Sequence, residues 1–102
     1  MLQVQFSFAK ILPNDITGQY YGNQLLRSAG SAALNFGEMQ GAVTDRDSVN
    51  KASICLKELK ESRMNLKILR EVDYGGKSKI IILLDVAEQL IRIIATIINK
   101  KR

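Results

Sequence analysis

A row of basic residues in the middle of the chain has the spacing to bind a polyanion. It consists of Lys60, Arg63, Lys67 and Arg70, at intervals of three, four and three residues, with Arg46 on the same side of the predicted helix. Residues three or four apart share one face of a helix. A row of Lys and Arg side chains can neutralise the phosphates of RNA or DNA. The alternative is a solvated face, with Arg63 and Arg70 laying their aliphatic stems along the core edge.

The composition argues against catalytic and metal chemistry. The chain contains no His and a single Cys, Cys55. Without His there is no imidazole for proton transfer, for Ser-His or Cys-His nucleophiles, for most zinc sites or for di-iron bundles. Cys55 lies between Ile54 and Leu56, where a thiol usually acts as a small buried apolar group rather than a reactive one. We therefore expect no enzyme activity, no cofactor and no metal.

Length and charge indicate one small globular domain. The 102 residues include 46% apolar and 25% charged residues, and the net charge is +5. This length corresponds to a single domain over residues 1–102, and the positive charge is compatible with a polyanionic partner. The first residues lack the features of a signal peptide, and the longest apolar run, residues 80–84, is too short to span a membrane. We expect a cytoplasmic protein without membrane contact.

Hydrophobic periodicity and turn signals predict four helices, over residues 2–11, 17–40, 45–73 and 78–100. Pro13 ends the first, and Thr44 has the position of an N-cap for the third. Gly75 and Gly76 stop the third helix, and Ser78 is the expected N-cap of the last. Gly30 falls within the second helix, where it either allows another backbone to approach closely or breaks the helix.

The apolar stripes of the predicted helices are those of a bundle. In the helix over residues 45–73, two heptad rows face the core: Ala52, Leu59 and Leu66, and Cys55, Ser62 and Leu69. In the last helix the two rows are Ile80, Ala87 and Ile94, and Leu83, Leu90 and Ile97. The predicted fold class is all-α, an up-down-up-down antiparallel four-helix bundle with a short first helix.

Five apolar residues lie outside the stripes that can face a single bundle: Ile54, Met64, Ile68, Val86 and Ile93. Soluble monomers seldom leave such residues in water as a contiguous patch. A contact between two different patches of identical subunits either closes into a ring or polymerises. We therefore expect a closed homo-oligomer with these five residues in the contact between subunits.

Two motifs resemble a known family. The first is residues 23–31 (NQLLRSAGS) followed by residues 35–38 (NFGE), and the second is residues 57–63 (KELKESR) followed by residues 66–69 (LKIL). Together they resemble the four helix bundle proteins of bacteria, also called 23S ribosomal RNA intervening sequence proteins. The resemblance covers residues from about 6 to 98. The chain departs from the family pattern in its shorter first helix and in Met64 and Asn65, where an aromatic residue often stands.

The resemblance implies a four-helix bundle without enzyme activity that assembles into a ring of five subunits. Proteins similar in fold, the accessory variability proteins of diversity-generating retroelements, bind nucleic acid and partner a reverse transcriptase, so a nucleic-acid enzyme is a further candidate partner. The family's recurrent polar positions correspond to Arg27, Asn35, Glu38 and Glu58. We favour a structural role for them, as groups that form hydrogen bonds between helices.

Two functions therefore remain open. In the first, the protein is a non-catalytic oligomer that binds RNA or DNA through its basic row. In the second, it is a protein-interaction scaffold, and its positive charge only maintains solubility. Retention of labelled nucleic acid, and its loss as the salt concentration rises, would distinguish the two.

Overall fold

The computed structural model describes residues 15–74 and 76–102. Within these residues the backbone forms three α-helices and no strand: α1 (Ile16–Gln40), α2 (Asp45–Glu71) and α3 (Lys77–Lys101). The all-α prediction is confirmed, and the three predicted helices that fall in this part of the chain have ends within two residues of the observed ones. The helix predicted over residues 2–11 lies outside the described residues.

The beginnings of the helices follow from local hydrogen bonds and backbone geometry. The Asp15 carboxylate accepts a hydrogen bond from the backbone N–H three residues on (2.7 Å) and caps α1. Thr44 caps α2 as predicted, since its Oγ1 accepts a hydrogen bond from the Asp47 N–H at 3.1 Å. The predicted N-cap at Ser78 is wrong. The residue before α3 is Gly76, whose φ of 85° glycine adopts without strain, and Ser78 lies within the first turn.

The central helix is α2, which packs against both α1 and α3, whereas α1 and α3 make few direct contacts with each other. Both predicted core rows of α2 are buried: Ala52, Leu59 and Leu66, and Cys55, Ser62 and Leu69. On α1 the buried residues include Leu25, Ala29, Ala32 and Met39. The helix continues through Gly30, so the alternative of a break at this residue is wrong.

The buried stripe of α3 is rotated relative to the prediction. Leu90 and Ile97, predicted core residues, are only half-buried, whereas Ile91 and Ile98 are buried. The physical reason is that α3 packs mainly against α2 and hardly against α1. The side of α3 that carries Leu90 therefore borders an open space rather than a third helix.

That open space is an apolar groove of about 250 Å³ between α1 and α3. Its lining residues come from all three helices: Ala32, Ala33, Phe36, Cys55, Leu59, Leu90 and Ile94. Burial raises the pKa of the Cys55 thiol, as expected of a thiol in apolar surroundings. None of the three helices is both long enough and apolar enough to cross a membrane.

Candidate nucleic-acid interface

Four of the predicted basic residues lie along one side of α2. At 1.5 Å per residue, Lys60, Arg63, Lys67 and Arg70 extend over about 15 Å of the helix axis; they form the basic strip. Lys60 and Arg70 are exposed, and Lys67 is half-buried. These three side chains make no ion pair or hydrogen bond with the described residues. The strip therefore offers three positive charges that form no ion pair or hydrogen bond within the part of the chain that the structure describes.

The structure does not bring Arg46 into the basic strip. Arg46 lies in the first turn of α2, between Asp45 and Asp47, and is exposed. It is separated from Lys60 by about 21 Å along the helix axis. The two acidic neighbours also reduce the positive charge around it, so Arg46 is not part of the same site.

Arg63 differs from the rest of the strip because it has a partner on α3. Its Nη1 donates a hydrogen bond to Glu88 Oε1 at 2.9 Å, and its side chain is 27% exposed. This hydrogen bond is the main reason that the pKa of Glu88 lies below its ordinary value, and the charges of Lys67 and Arg92 lower it further. Three cationic side chains thus act on a single carboxylate, and the local charge stays positive.

Glu88 and Arg92 extend the candidate site onto α3, and sequence reasoning missed both. The signal that could have found them is the antiparallel register of α2 and α3. Glu88 follows the buried Ala87, as Arg63 follows the buried Ser62. Arg63 and Glu88 thus each occupy the position after a core residue. Aligning the core rows of α2 and α3 would have placed their charges near each other.

Two of the four family polar positions meet at the contact between α1 and α2. Arg27 Nη1 donates a hydrogen bond to Glu58 Oε2 at 3.1 Å, and Arg27 Nη2 donates a second one to Glu61. The Glu58 side chain is only 5% exposed, although it carries a carboxylate. Arg27 therefore supplies the positive charge that a buried carboxylate needs.

The other two polar positions lie elsewhere on α1. Glu38 forms an ion pair with Lys51 of α2 at 2.7 Å, and both side chains are more than 40% exposed. Asn35 is buried and its Nδ2 donates a hydrogen bond to the Ser31 carbonyl of its own helix at 2.9 Å. The four positions do not converge on one site. They join α1 to α2 at separate points or bond within α1.

The five residues predicted at the contact between subunits lie on the surface of α2 and α3. Ile54, Met64 and Ile93 are 40%, 56% and 52% exposed, and Ile68 and Val86 are half-buried. Ile81 and Ile82, near the start of α3, are also exposed. The part of the five predicted residues in a subunit contact stays a prediction.

Within the described residues, no group of three or more His, Cys, Asp or Glu side chains could hold a metal ion. A family model described as 23S rRNA-intervening sequence protein matches residues 3–96, which include both motifs noted above and most of α3. The comparison with curated proteins found no match, and neither did the comparison with solved structures.

Proposed function

The chain belongs to the 23S rRNA-intervening sequence protein family, and from this membership we propose that it is a non-catalytic, oligomeric helical-bundle protein. It binds the phosphate backbone of RNA or DNA through the basic strip. The observation that carries this proposal is a set of three side chains without an ion pair or hydrogen bond among the described residues. They are Lys60, Lys67 and Arg70, along about 15 Å of α2.

The energetics of an isolated helix do not account for this row. Like charges four residues apart, such as Arg63 and Lys67, destabilise a helix by about 0.2–0.5 kcal/mol. One carboxylate of the described residues, that of Glu88, forms an ion pair with the strip. A phosphate backbone would neutralise the charges that remain and release its own counterions on binding.

The strip fits contacts to phosphates better than contacts to bases. Residues 60–70 contain no aromatic side chain on which a base could stack. Contacts to phosphates fix a protein on nucleic acid without reading the sequence. We therefore expect similar affinities for nucleic acids of different sequence and equal length.

Oligomerisation would place several strips on one particle. The proposed assembly is a ring of five subunits joined through Ile54, Met64, Ile68, Val86 and Ile93. Three of these side chains are at least 40% exposed, which supports their availability for such a contact. Linked strips would bind one polyanion with an avidity above the affinity of a single strip.

A fourth helix over residues 2–11 would complete the bundle. The groove between α1 and α3 supports this proposal, because it leaves the fourth position of a bundle open. The segment joins α1 through Pro13 and the N-cap Asp15, so its helix would run antiparallel to α1. Replacing both Phe6 and Phe8 with Ala should then lower the free energy of unfolding by about 2 kcal/mol or more. An unchanged urea midpoint would rule out a packed fourth helix.

The alternative function is a protein-interaction scaffold. The observation that favours it is the exposure of Ile81, Ile82 and Ile93 on α3, at 59%, 61% and 52%. If these residues bind another protein, the basic strip serves only solubility. Wild-type protein would then fail to retain nucleic acid at any moderate salt concentration.

The test is a fluorescence anisotropy titration of a labelled RNA stem and a labelled DNA duplex. The strip variant carries Lys60→Gln, Lys67→Gln and Arg70→Gln and leaves the Arg63–Glu88 ion pair intact. A matched control carries Lys79→Gln, Lys100→Gln and Arg102→Gln, three exposed residues outside the strip, and has the same net charge. We expect the strip variant to lose at least about tenfold in affinity and the control about two- to threefold. Equal losses would contradict a site on the strip.

A further inference from the structure

The Glu88 carboxylate lies among cationic side chains of the candidate interface. It accepts a hydrogen bond from Arg63 at 2.9 Å, and the charges of Lys67 and Arg92 also act on it. Both members of the ion pair reach solvent, with 27% of the Arg63 side chain and 40% of the Glu88 side chain exposed. The pair is therefore at the surface of the α2–α3 contact and not in the core.

We propose that Glu88 is a built-in competitor of the nucleic acid: its carboxylate occupies the place at Arg63 that a backbone phosphate takes in the complex. Binding then exchanges one anionic oxygen partner of the guanidinium for another. Glu88 sets how tightly and with what salt dependence the strip binds a phosphodiester backbone, of RNA or of DNA. This inference rests on the proposed function.

Arg63 has enough N–H donors for a phosphate to replace the Glu88 carboxylate. A guanidinium has five N–H donors in a planar fork that fits a phosphate as well as a carboxylate. Only its Nη1 is hydrogen-bonded to Glu88, and Glu88 is its one ion-pair partner among the described residues. A phosphate could first contact the free donors and then displace the carboxylate, while Lys67 holds the same phosphate or the next.

A role in folding alone does not explain the ion pair. Arg63 and Glu88 are half-buried and both reach solvent, and water and salt screen ion pairs that reach solvent, so that they contribute little to stability. A carboxylate at this place also keeps three like-charged side chains from facing one another without a counterion. In the free protein the Glu88 carboxylate thus neutralises Arg63 until a phosphate displaces it.

The experiment compares Glu88→Gln with Asp85→Asn. Asp85 lies one turn earlier on α3, is exposed, and accepts a hydrogen bond from Gln89 of its own helix. Both variants raise the net charge by one, so a general charge effect changes both alike. At 150 mM salt, Glu88→Gln should raise affinity for the RNA stem and the DNA duplex about two- to fivefold. It should also steepen the slope of log K against log salt by about one. Asp85→Asn should change affinity less than about twofold.

Two further variants separate the outcomes. Glu88→Asp keeps the net charge but shortens the side chain, and it should give part of the gain. Arg63→Gln combined with Glu88→Gln should abolish the gain. Equal effects of Glu88→Gln and Asp85→Asn, with wild-type binding intact, would overturn the inference and leave the proposed function standing. Absence of salt-dependent binding by the wild type would overturn both. A preference for RNA or for DNA in the gain would identify which backbone the exchange serves.

Discussion

The hydroxyl oxygens of Ser28 on α1 and Ser62 on α2 lie 2.7 Å apart, and both side chains are fully buried. The Ser28 hydroxyl also lies 3.3 Å from the Leu25 carbonyl of its own helix, to which it can donate. Either hydroxyl can be the donor in the bond between Ser28 and Ser62. Because Ser62 belongs to a core row of α2, this contact replaces an apolar one with a hydrogen bond, and the small side chains let the two helices approach closely.

A double-mutant cycle on this pair should show coupling. Ser28→Ala removes the hydrogen-bond partner of the buried Ser62 hydroxyl and should lower the free energy of unfolding by about 1–3 kcal/mol. The double variant Ser28→Ala, Ser62→Ala leaves no unpaired hydroxyl and should cost less than the sum of the single variants. Urea unfolding monitored by circular dichroism measures all four proteins. Strictly additive effects would contradict the hydrogen bond.

The ion pair of Arg27 and Glu58 should matter more for stability than that of Lys51 and Glu38. Both pairs join α1 to α2, but the Glu58 side chain is 5% exposed and the Glu38 side chain 44%. Arg27→Met leaves a buried carboxylate without its guanidinium, and we expect a loss of about 1–3 kcal/mol. Lys51→Met, the matched control, should cost about 0–1 kcal/mol. Similar urea midpoints for the two variants would show that burial of Glu58 is not decisive.

The hydrogen bond from Tyr74 to Asp15 should make stability depend on pH at both extremes. The Tyr74 hydroxyl donates to Asp15 Oδ2 at 2.5 Å and connects the start of α1 to the segment that follows α2. This bond is the main cause that lowers the pKa of Asp15 below its ordinary 3.8 and raises the pKa of Tyr74 above its ordinary 10.0.

The sign of the effect differs at the two ends of the pH range. The Asp15 contribution is present above pH 3.8 and is lost as the pH falls through the lower folded pKa. The Tyr74 contribution is present below pH 10.0 and is lost as the pH rises through the higher folded pKa. The difference in urea midpoint between wild type and Tyr74→Phe should thus be largest at neutral pH and shrink toward both extremes. A constant difference would contradict this assignment.

The helices were predictable because their signals are local. The side chain of Thr44 caps α2 through a hydrogen bond to a residue only three positions later in the sequence. The heptad rows of α2 repeat over the whole helix. The rotation of α3 was not predictable. Four of every seven positions in α3 are apolar, so Leu90 and Ile91 are equally suited to a core, and the packing partner decides which one is buried.

The part of the candidate site on α2 was predictable from the sequence, whereas the contacts between α2 and α3 were not. The spacing of Lys60, Lys67 and Arg70 follows from helical periodicity alone. The contact of Arg63 with Glu88 depends on how α2 and α3 are aligned, since 25 residues separate the two side chains in sequence. Arg46 shares the angle of this row around the helix, but its distance along the axis separates it from the strip.

Ile93 on α3 should help to hold the oligomer together. Ile93→Glu places a charge on a side chain that is 52% exposed in the isolated chain and should dissociate the assembly. Val43→Glu, at a residue 95% exposed between α1 and α2, should leave the assembly intact. Sedimentation at micromolar concentration should show the wild type well above the 11.4 kDa of a monomer. A monomeric wild type would contradict the proposed ring of subunits.

The most direct test of a phosphate-binding strip is the salt dependence of affinity for a DNA duplex. Each phosphate contact adds about −0.9 to the slope of log K against log salt. With Lys60, Lys67 and Arg70 engaged, the wild type should show a slope of about −3 or steeper. The variant with all three replaced by Gln should have a slope smaller by about three units. A flat wild-type slope, or an equal slope in the two proteins, would contradict the account.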